Sequence, residues 1–267
     1  MIYGAGGLSG LAAWRLLQRT ADSQMVRLAQ EPSVQRERLV FIERMTASHD
    51  ADSLIGDFRS MKVALTAFGL EADLGNKAFI KKILTSDLND EKSLANRLAD
   101  KRYRSMAQAF GYSTNGQPSE GTAEAIAQRY IEREFERRVG EGNNDLRLAL
   151  YASRELAVIA SSNASDDTKW YSILGSAPLA QVVRVALGLP ESMARAPIDQ
   201  QLSTMREAAS RKLGIKDLNA LTDPALLDRL LDNFVIRSAA SSTTSTPYNT
   251  ALALLSGMPQ PGVFGLH

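Results

Sequence analysis

Apolar residues recur along this chain at spacings of three and four, and sustained alternation is almost absent. That period places side chains on one face of an α-helix, so it predicts an all-α fold, a bundle or array of about ten helices. Residues 8 to 30 carry Leu11, Trp14, Ala21, Met25 and Leu28 on one seam, interrupted by the polar Gln18. Pro32 ends that helix and opens the next, which carries Leu39, Ile42 and Met45 and fades near His49. Asp50 suits the N-cap of a third helix, in which Leu54, Phe58, Met61, Leu65 and Phe68 repeat until Gly69 stops it. A short helix is expected over Asn76 to Thr85, and a longer one carries Leu94, Leu98 and Met106 as far as Phe110 and Gly111.

The clearest loop of the first half is Ser-Thr-Asn-Gly-Gln-Pro-Ser-Glu-Gly at 113–121, a candidate domain boundary. Helices at 122–139 and 144–161 flank Gly140-Glu141-Gly142-Asn143-Asn144, a turn suited to antiparallel neighbours. Further helices are expected at 167–174, 178–187, 198–213 and 224–237, the last capped by Asp223 with Pro224 in its first turn. The Ser/Thr-rich run 238–246 reads as a polar linker to a short tail helix carrying Leu252, Leu254 and Leu255. The expected organisation is therefore an arm (1–9), a helical subdomain (10–112), the loop (113–121), a second helical subdomain (122–237) and a tail (238–267). Ala67-Phe68-Gly69-Leu70, Ala109-Phe110-Gly111-Tyr112 and Ala186-Leu187-Gly188-Leu189 share an apolar-Gly-apolar helix stop. Segments from Val63 and from Val182 also share the order of the elements after that stop, which fits a decayed internal repeat as well as independent use of a common cap.

Composition narrows the chemistry. The 267 residues are 44% hydrophobic, and 31 Lys and Arg against 30 Asp and Glu leave a formal charge of +1. No global field gathers nucleic acid or an anionic membrane. With no Cys, disulfides, thiolate metal sites and a cysteine nucleophile are excluded. His49 and His267 are the only histidines, which leaves little room for histidine catalysis or a polyhistidine metal centre. Gly4-Ala5-Gly6-Gly7-Leu8-Ser9-Gly10 resembles a loosened dinucleotide loop, but only three residues precede it and no parallel-sheet pattern comes after it, so it reads as an arm. Asp87 and Asp90 lack the Gly and Glu that complete a calcium loop, and read as caps. No catalytic, cofactor-binding or metal-ligating residues are assigned. The uncharged start, Met1 to Trp14, has no basic leader and falls short of the ~20 apolar residues that span a bilayer. A soluble chain without a cleaved secretory signal is expected.

Two basic groups remain as candidate binding residues. Lys101, Arg102 and Arg104 surround Tyr103, a combination that pairs with and stacks on phosphates. Arg129, Arg133 and Arg137 line one helix face, although Glu132, Glu134 and Glu136 sit in the same turns and Glu134 is four residues from Arg138. The stripe reads either as a solvated, salt-bridged face or as a dock for an acidic partner. Trp14 and the leucines at 252, 254 and 255 lie on peripheral apolar segments, of the kind that dock onto partners.

Several stretches together carry a family resemblance: Gly-Leu-Ala-Ala-Trp-Arg-Leu-Leu-Gln-Arg-Thr (10–20), Ala-Phe-Gly-Leu-Glu-Ala-Asp-Leu-Gly-Asn-Lys-Ala-Phe-Ile-Lys-Lys-Ile-Leu (67–84), Ser-Leu-Ala-Asn-Arg-Leu-Ala-Asp-Lys-Arg-Tyr (93–103), Arg-Leu-Ala-Leu-Tyr (147–151) and Ala-Leu-Gly-Leu-Pro (186–190). The chain resembles the bacterial family known as domain of unknown function 1217 over about residues 8 to 237. Members of that family are typically encoded in flagellar gene clusters. The resemblance implies a role in flagellar assembly, structure or motility; with no catalytic constellation and with peripheral apolar segments at both ends, a non-enzymatic role is expected, through protein partners among flagellar components or a homo-oligomer. It implies a place in the bacterial cytoplasm, or export through the flagellar apparatus. No catalytic residue or cofactor is established for the family. A nucleic-acid or phosphate binder using the basic groups, and an enzyme with an unrecognised carboxylate site, stand as alternatives.

Overall fold

The computed structural model describes residues 7–47, 50–98 and 100–244. These residues form α-helices and short 3-10 turns, with no strand among them. By their contacts they sort into two compact units, residues 19–141 and residues 7–18 with 142–244. The division falls at Glu141/Gly142, while residues 113–121, expected as a loop but helical as far as Asn115, lie inside the first unit. The opening helix α1 (Gly10–Ala29) is divided between the two.

In the first unit α1 is succeeded by α2 (Pro32–Ala47), α3 (Ala51–Gly56), α4 (Phe58–Phe68) and α5 (Lys77–Leu84). The single helix expected from Asp50 to Phe68 is two helices. Asp57, in extended conformation, ends α3 and caps α4 by accepting from Ser60 N at 2.9 Å. A carboxylate this close to a free N–H competes with continuation of the helix, so local hydrogen bonding wins over apolar period. The helix expected from Leu94 to Phe110 is likewise split into α6 (Leu94–Arg97) and α7 (Lys101–Phe110), where Asp100 accepts from Arg102 N at 3.0 Å. Then come α8 (Tyr112–Asn115) and the long α9 (Thr122–Gly142). Phe41, Met61, Leu65, Phe68, Phe110 and Phe135 fill the core, with Phe110 stacked on Tyr112 at 5.5 Å between centroids.

The second unit holds α10 (Asn144–Ser161), α11 (Asp166–Leu174), α12 (Ala177–Ala186), α13 (Ile198–Leu213) and α14 (Pro224–Thr244). Asn143 caps α10, accepting from Asp145 N and Leu146 N at 3.0 and 3.1 Å. The start of α1 buries Ala13, Trp14 and Leu17 here, so its seam is displaced from the expected one and leaves Leu11 partly exposed. Helix α14 continues through 238–244, where a linker was expected. Ala239 and Ala240 favour helix, and Ala239 packs beside Gly10 of α1. The remainder of that linker and Leu252, Leu254 and Leu255 lie outside the described residues.

Each unit contains the same local sequence of elements. In the first, α4 ends at Gly69 (φ 69°), a 3-10 turn Glu71–Asp73 comes next, and then α5. In the second, α12 leads through Gly188 (φ 59°) into a 3-10 turn Glu191–Arg195 and then α13. The Schellman bonds match, from Leu70 N to Leu65 O at 2.8 Å and from Leu189 N to Arg184 O at 3.0 Å. A guanidinium lies against each glycine, Arg102 on Gly69 and Arg237 on Gly188. The two segments are alike in order and turn geometry, as a decayed repeat or independent use of a common cap would each give.

A Cβ on Gly188 would lie 2.5 Å from the Arg237 guanidinium, in a left-handed conformation. Gly188→Ala is therefore expected to destabilise the protein by about 1–2 kcal/mol. Gly142→Ala, in helical backbone with nothing within 4 Å of the new carbon, is expected to be neutral or stabilising. Urea titration of the two variants beside the parent checks this.

Candidate functional site

The basic residues expected to recognise a partner are placed where helices end. Lys101 Nζ donates to the carbonyls of Asn96 and Leu98, at 3.3 and 3.0 Å, closing the C-terminus of α6. Arg102 pairs with Asp100 and donates to the Gly69 carbonyl, which joins α7 to the end of α4. Arg104 Nε donates to Asn96 Oδ1 at 2.8 Å. Between them Tyr103 donates to Asp73 Oδ2 at 2.5 Å and meets Phe79 edge-on at 5.2 Å. Burial and the Asp73 carboxylate push its hydroxyl up to about 12. The structure brings the cluster together, but as a fastening between helices.

The three arginines of α9 part company. Arg129 lies over the Phe68 ring, 4.8 Å from its centroid. Arg133 approaches Glu136 at 3.3 Å. Arg137 grips Glu134 with two bonds of 2.7 Å and reaches Glu141 at 2.5 Å. Arg138 also donates to Glu134, at 2.7 Å, and faces Glu31 at 3.4 Å. Glu134 is the centre of this network. Burial acts to raise its carboxyl, but the hydrogen bonds from Arg137 and Arg138 outweigh it and hold the group below its usual range. Nearby Glu37 takes Lys62 at 2.7 Å and the Tyr130 hydroxyl, tying α2, α4 and α9 together. The salt-bridged reading of the face accounts for Arg133 and Arg137.

Trp14 is 1% exposed and belongs to the core of the second unit. Its indole is packed within its own unit, where burial of the ring holds the start of α1 in place. Sequence reasoning missed Lys169, whose side chain is buried with Nζ 2.8 Å from the Ala160 carbonyl and bonded to Asn219 Oδ1. It also missed Arg206, which joins Asp166 and Asp167. The partners of Lys169 stand nine and fifty residues away, separations that carry no periodic signal.

The first unit has a cleft of about 380 Å³ between α2, α3 and α4, lined by Arg44, Met45, Leu54, Asp57 and Ser60. Asp57 and Ser60 are already bonded to each other there, at 2.7 Å. The second unit has a broad groove along α13 lined by Arg206, Glu207, Arg211 and Lys216. Among the described residues no group of three or more His, Asp or Glu side chains could hold a metal ion. No helix among them is long and apolar enough to cross a membrane.

These features define an all-α protein whose charged side chains chiefly join and cap its helices. The chain belongs to the family described as "Protein of unknown function (DUF1217)", whose model matches residues 67–227. It is similar to a crystal structure of a structural-genomics target protein from Agrobacterium tumefaciens, with 27% identity and a TM-score of 0.68 over 84% of this chain and 90% of that one. No curated protein matches it significantly.

Because Glu134 is held low in the folded state, its contribution is present above the ordinary value of 4.5 and is lost as pH falls through the lower folded value. Glu134→Gln is expected to cost about 1–3 kcal/mol at neutral pH and to weaken the fall of stability in that acid window. Denaturant midpoints measured from pH 7 down to pH 3 check both effects.

Proposed function

We propose that this chain is a non-enzymatic helical component of flagellar assembly, structure or motility that acts through protein contacts. The carrying observation is the use made of its reactive-looking groups. Lys101, Arg102, Arg104, Arg133 and Arg137 are each bound to a carbonyl, amide or carboxylate of the same chain. Groups so engaged contribute to shape and rigidity, and binding a phosphate through them would require breaking those bonds. The family resemblance supplies the flagellar connection, since its members typically sit in flagellar gene clusters. The role is placed in the bacterial cytoplasm or, by export through the flagellar apparatus, beyond it.

A tagged full-length protein recovered from motile cells is expected to bring down flagellar components. Deleting the gene is expected to impair swimming, with recovery on its return. Normal swimming together with an absence of flagellar components from the eluate would overturn the proposal. Salt-sensitive retention on a polyanion resin, lost on changing Lys101, Arg102 and Arg104 to alanine, would point instead to the nucleic-acid alternative.

A further inference from the structure

The start of α1 is held in the second unit by helix α14, more than two hundred residues away in sequence. Arg15 pairs with Asp232 and stands 4.0 Å from Asp228, and Gln18 Nε2 donates to Asp228 Oδ1 at 2.9 Å. Gly10 lies beside Ala239. The pairings Gly10 with Ala239, Arg15 with Asp232 and Gln18 with Asp228 run in opposite order, so the two helices are antiparallel. Ala13, Trp14 and Leu17 are buried in the same unit. The seat is therefore a built helix-binding surface, with an apolar floor and two carboxylates that select a guanidinium and an amide one turn apart.

The chain connects this segment to its seat in an unusual way. Residues 10–18 are the first turns of a helix that continues to Ala29, and residues 19–29 belong to the other unit. The segment is thus covalently continuous with residues 19–141, whereas its seat is built from residues 142–244. The other covalent link between these two sets is the α9–α10 connection at Gly142 and Asn143, where nothing lies within 4 Å of a Cβ placed on Gly142. A change of backbone path at that connection would let the same segment occupy an identical seat on another molecule with all of its contacts retained, which is the condition for exchange between protomers.

The edge of the seat is apolar and uncovered. Leu11 is one turn before Arg15 and Ile236 is one turn after Asp232, so both stand on the side of the helix pair that carries the ion pair. Leu8 precedes the first residue of α1. Leu8, Leu11 and Ile236 are 50%, 37% and 47% exposed. Two copies related by a two-fold axis can cover such a rim with itself.

We propose that the Asp228/Asp232 face of α14 is a self-recognition site that takes residues 7–18 of a second copy of this chain, giving a reciprocally exchanged dimer. This deepens the reading of the protein as one that acts through protein contacts. It is tested on purified protein, so its failure leaves the flagellar reading to stand or fall separately.

Complementary charge reversal tests the exchange. One full-length chain carries Arg15→Asp, and the other carries Asp228→Arg with Asp232→Arg. Within either chain the seat and the segment then repel. Across a mixed pair, the reversed position 15 of one chain meets the reversed positions 228 and 232 of the other, and the unaltered Arg15 meets the unaltered carboxylates. Unfolding the two chains together and refolding them at equal concentration is expected to give a heterodimer by light scattering, with each chain alone giving little dimer. A chain carrying all three changes is expected to regain the parent's thermal stability, showing that the reversed pair is accepted. Should the triple variant be restored while the refolded mixture stays monomeric, the exchange is refuted. The parent chain supplies a check that needs no substitution: refolded from denaturant at rising concentration, it is expected to yield an increasing dimer fraction. Monomer at every concentration overturns the proposal even if the reversed variants fail to fold.

Discussion

A helix leaves N–H groups unpaired at one end and C=O groups at the other, and a short helix has few internal bonds to set against them. Much of this protein is built from such helices, including α3, α6 and α8, so the structure depends on how their ends are satisfied. N-terminal ends take Asp50, Asp57, Asp100, Asn143 and Ser165. C-terminal carbonyls take cations: Lys101 after α6, Arg102 after α4, Lys169 after α10 and Lys212 after α12. The helix dipole favours this disposition of charge. Part of the near balance of 31 basic and 30 acidic residues is used in this way, with Asp50, Asp57 and Asp100 at helix starts and Lys101, Arg102, Lys169 and Lys212 at helix ends.

The demand of the helix ends also separates what the sequence discloses from what it hides. The helical period reads through to the structure in α9, α10 and α13, which stand close to where the spacing of apolar residues puts them. It fails at Asp57 and Asp100, because one carboxylate bonded to a nearby N–H breaks a helix without disturbing the apolar spacing. It fails again after residue 237, where a Ser/Thr-rich composition conceals a helix that its alanines and its packing against Gly10 sustain. Among the candidate residues, the pairing of Glu134 with Arg138 was legible from their spacing. The hold of Arg102 on Gly69, thirty-three residues away, was not, since no local pattern encodes a contact at that separation.

Basic motifs take on a different weight in such a molecule. A run such as Lys-Arg-Tyr-Arg carries the residue types that recognise phosphate, yet a helix C-terminus asks for the same donors. In this chain the second demand is met, with Tyr103 and Asp73 fixing the geometry between them. Recognition by such a protein rests on the surfaces that its fastened helices present. Those surfaces are set by packing, and a motif search does not register them.

The antiparallel pairing of α1 with α14 has a consequence for the order in which the molecule comes into being. Trp14 and Leu17 leave the ribosome about two hundred residues before the carboxylates that receive Arg15 and Gln18. Throughout that interval the Trp14 face of α1 has no cover, and the fold of residues 142–244 lacks its last wall until α14 emerges. A nascent chain in that condition is open to capture by holdases or by its own neighbours on the polysome, and its closure is timed by the synthesis of one helix.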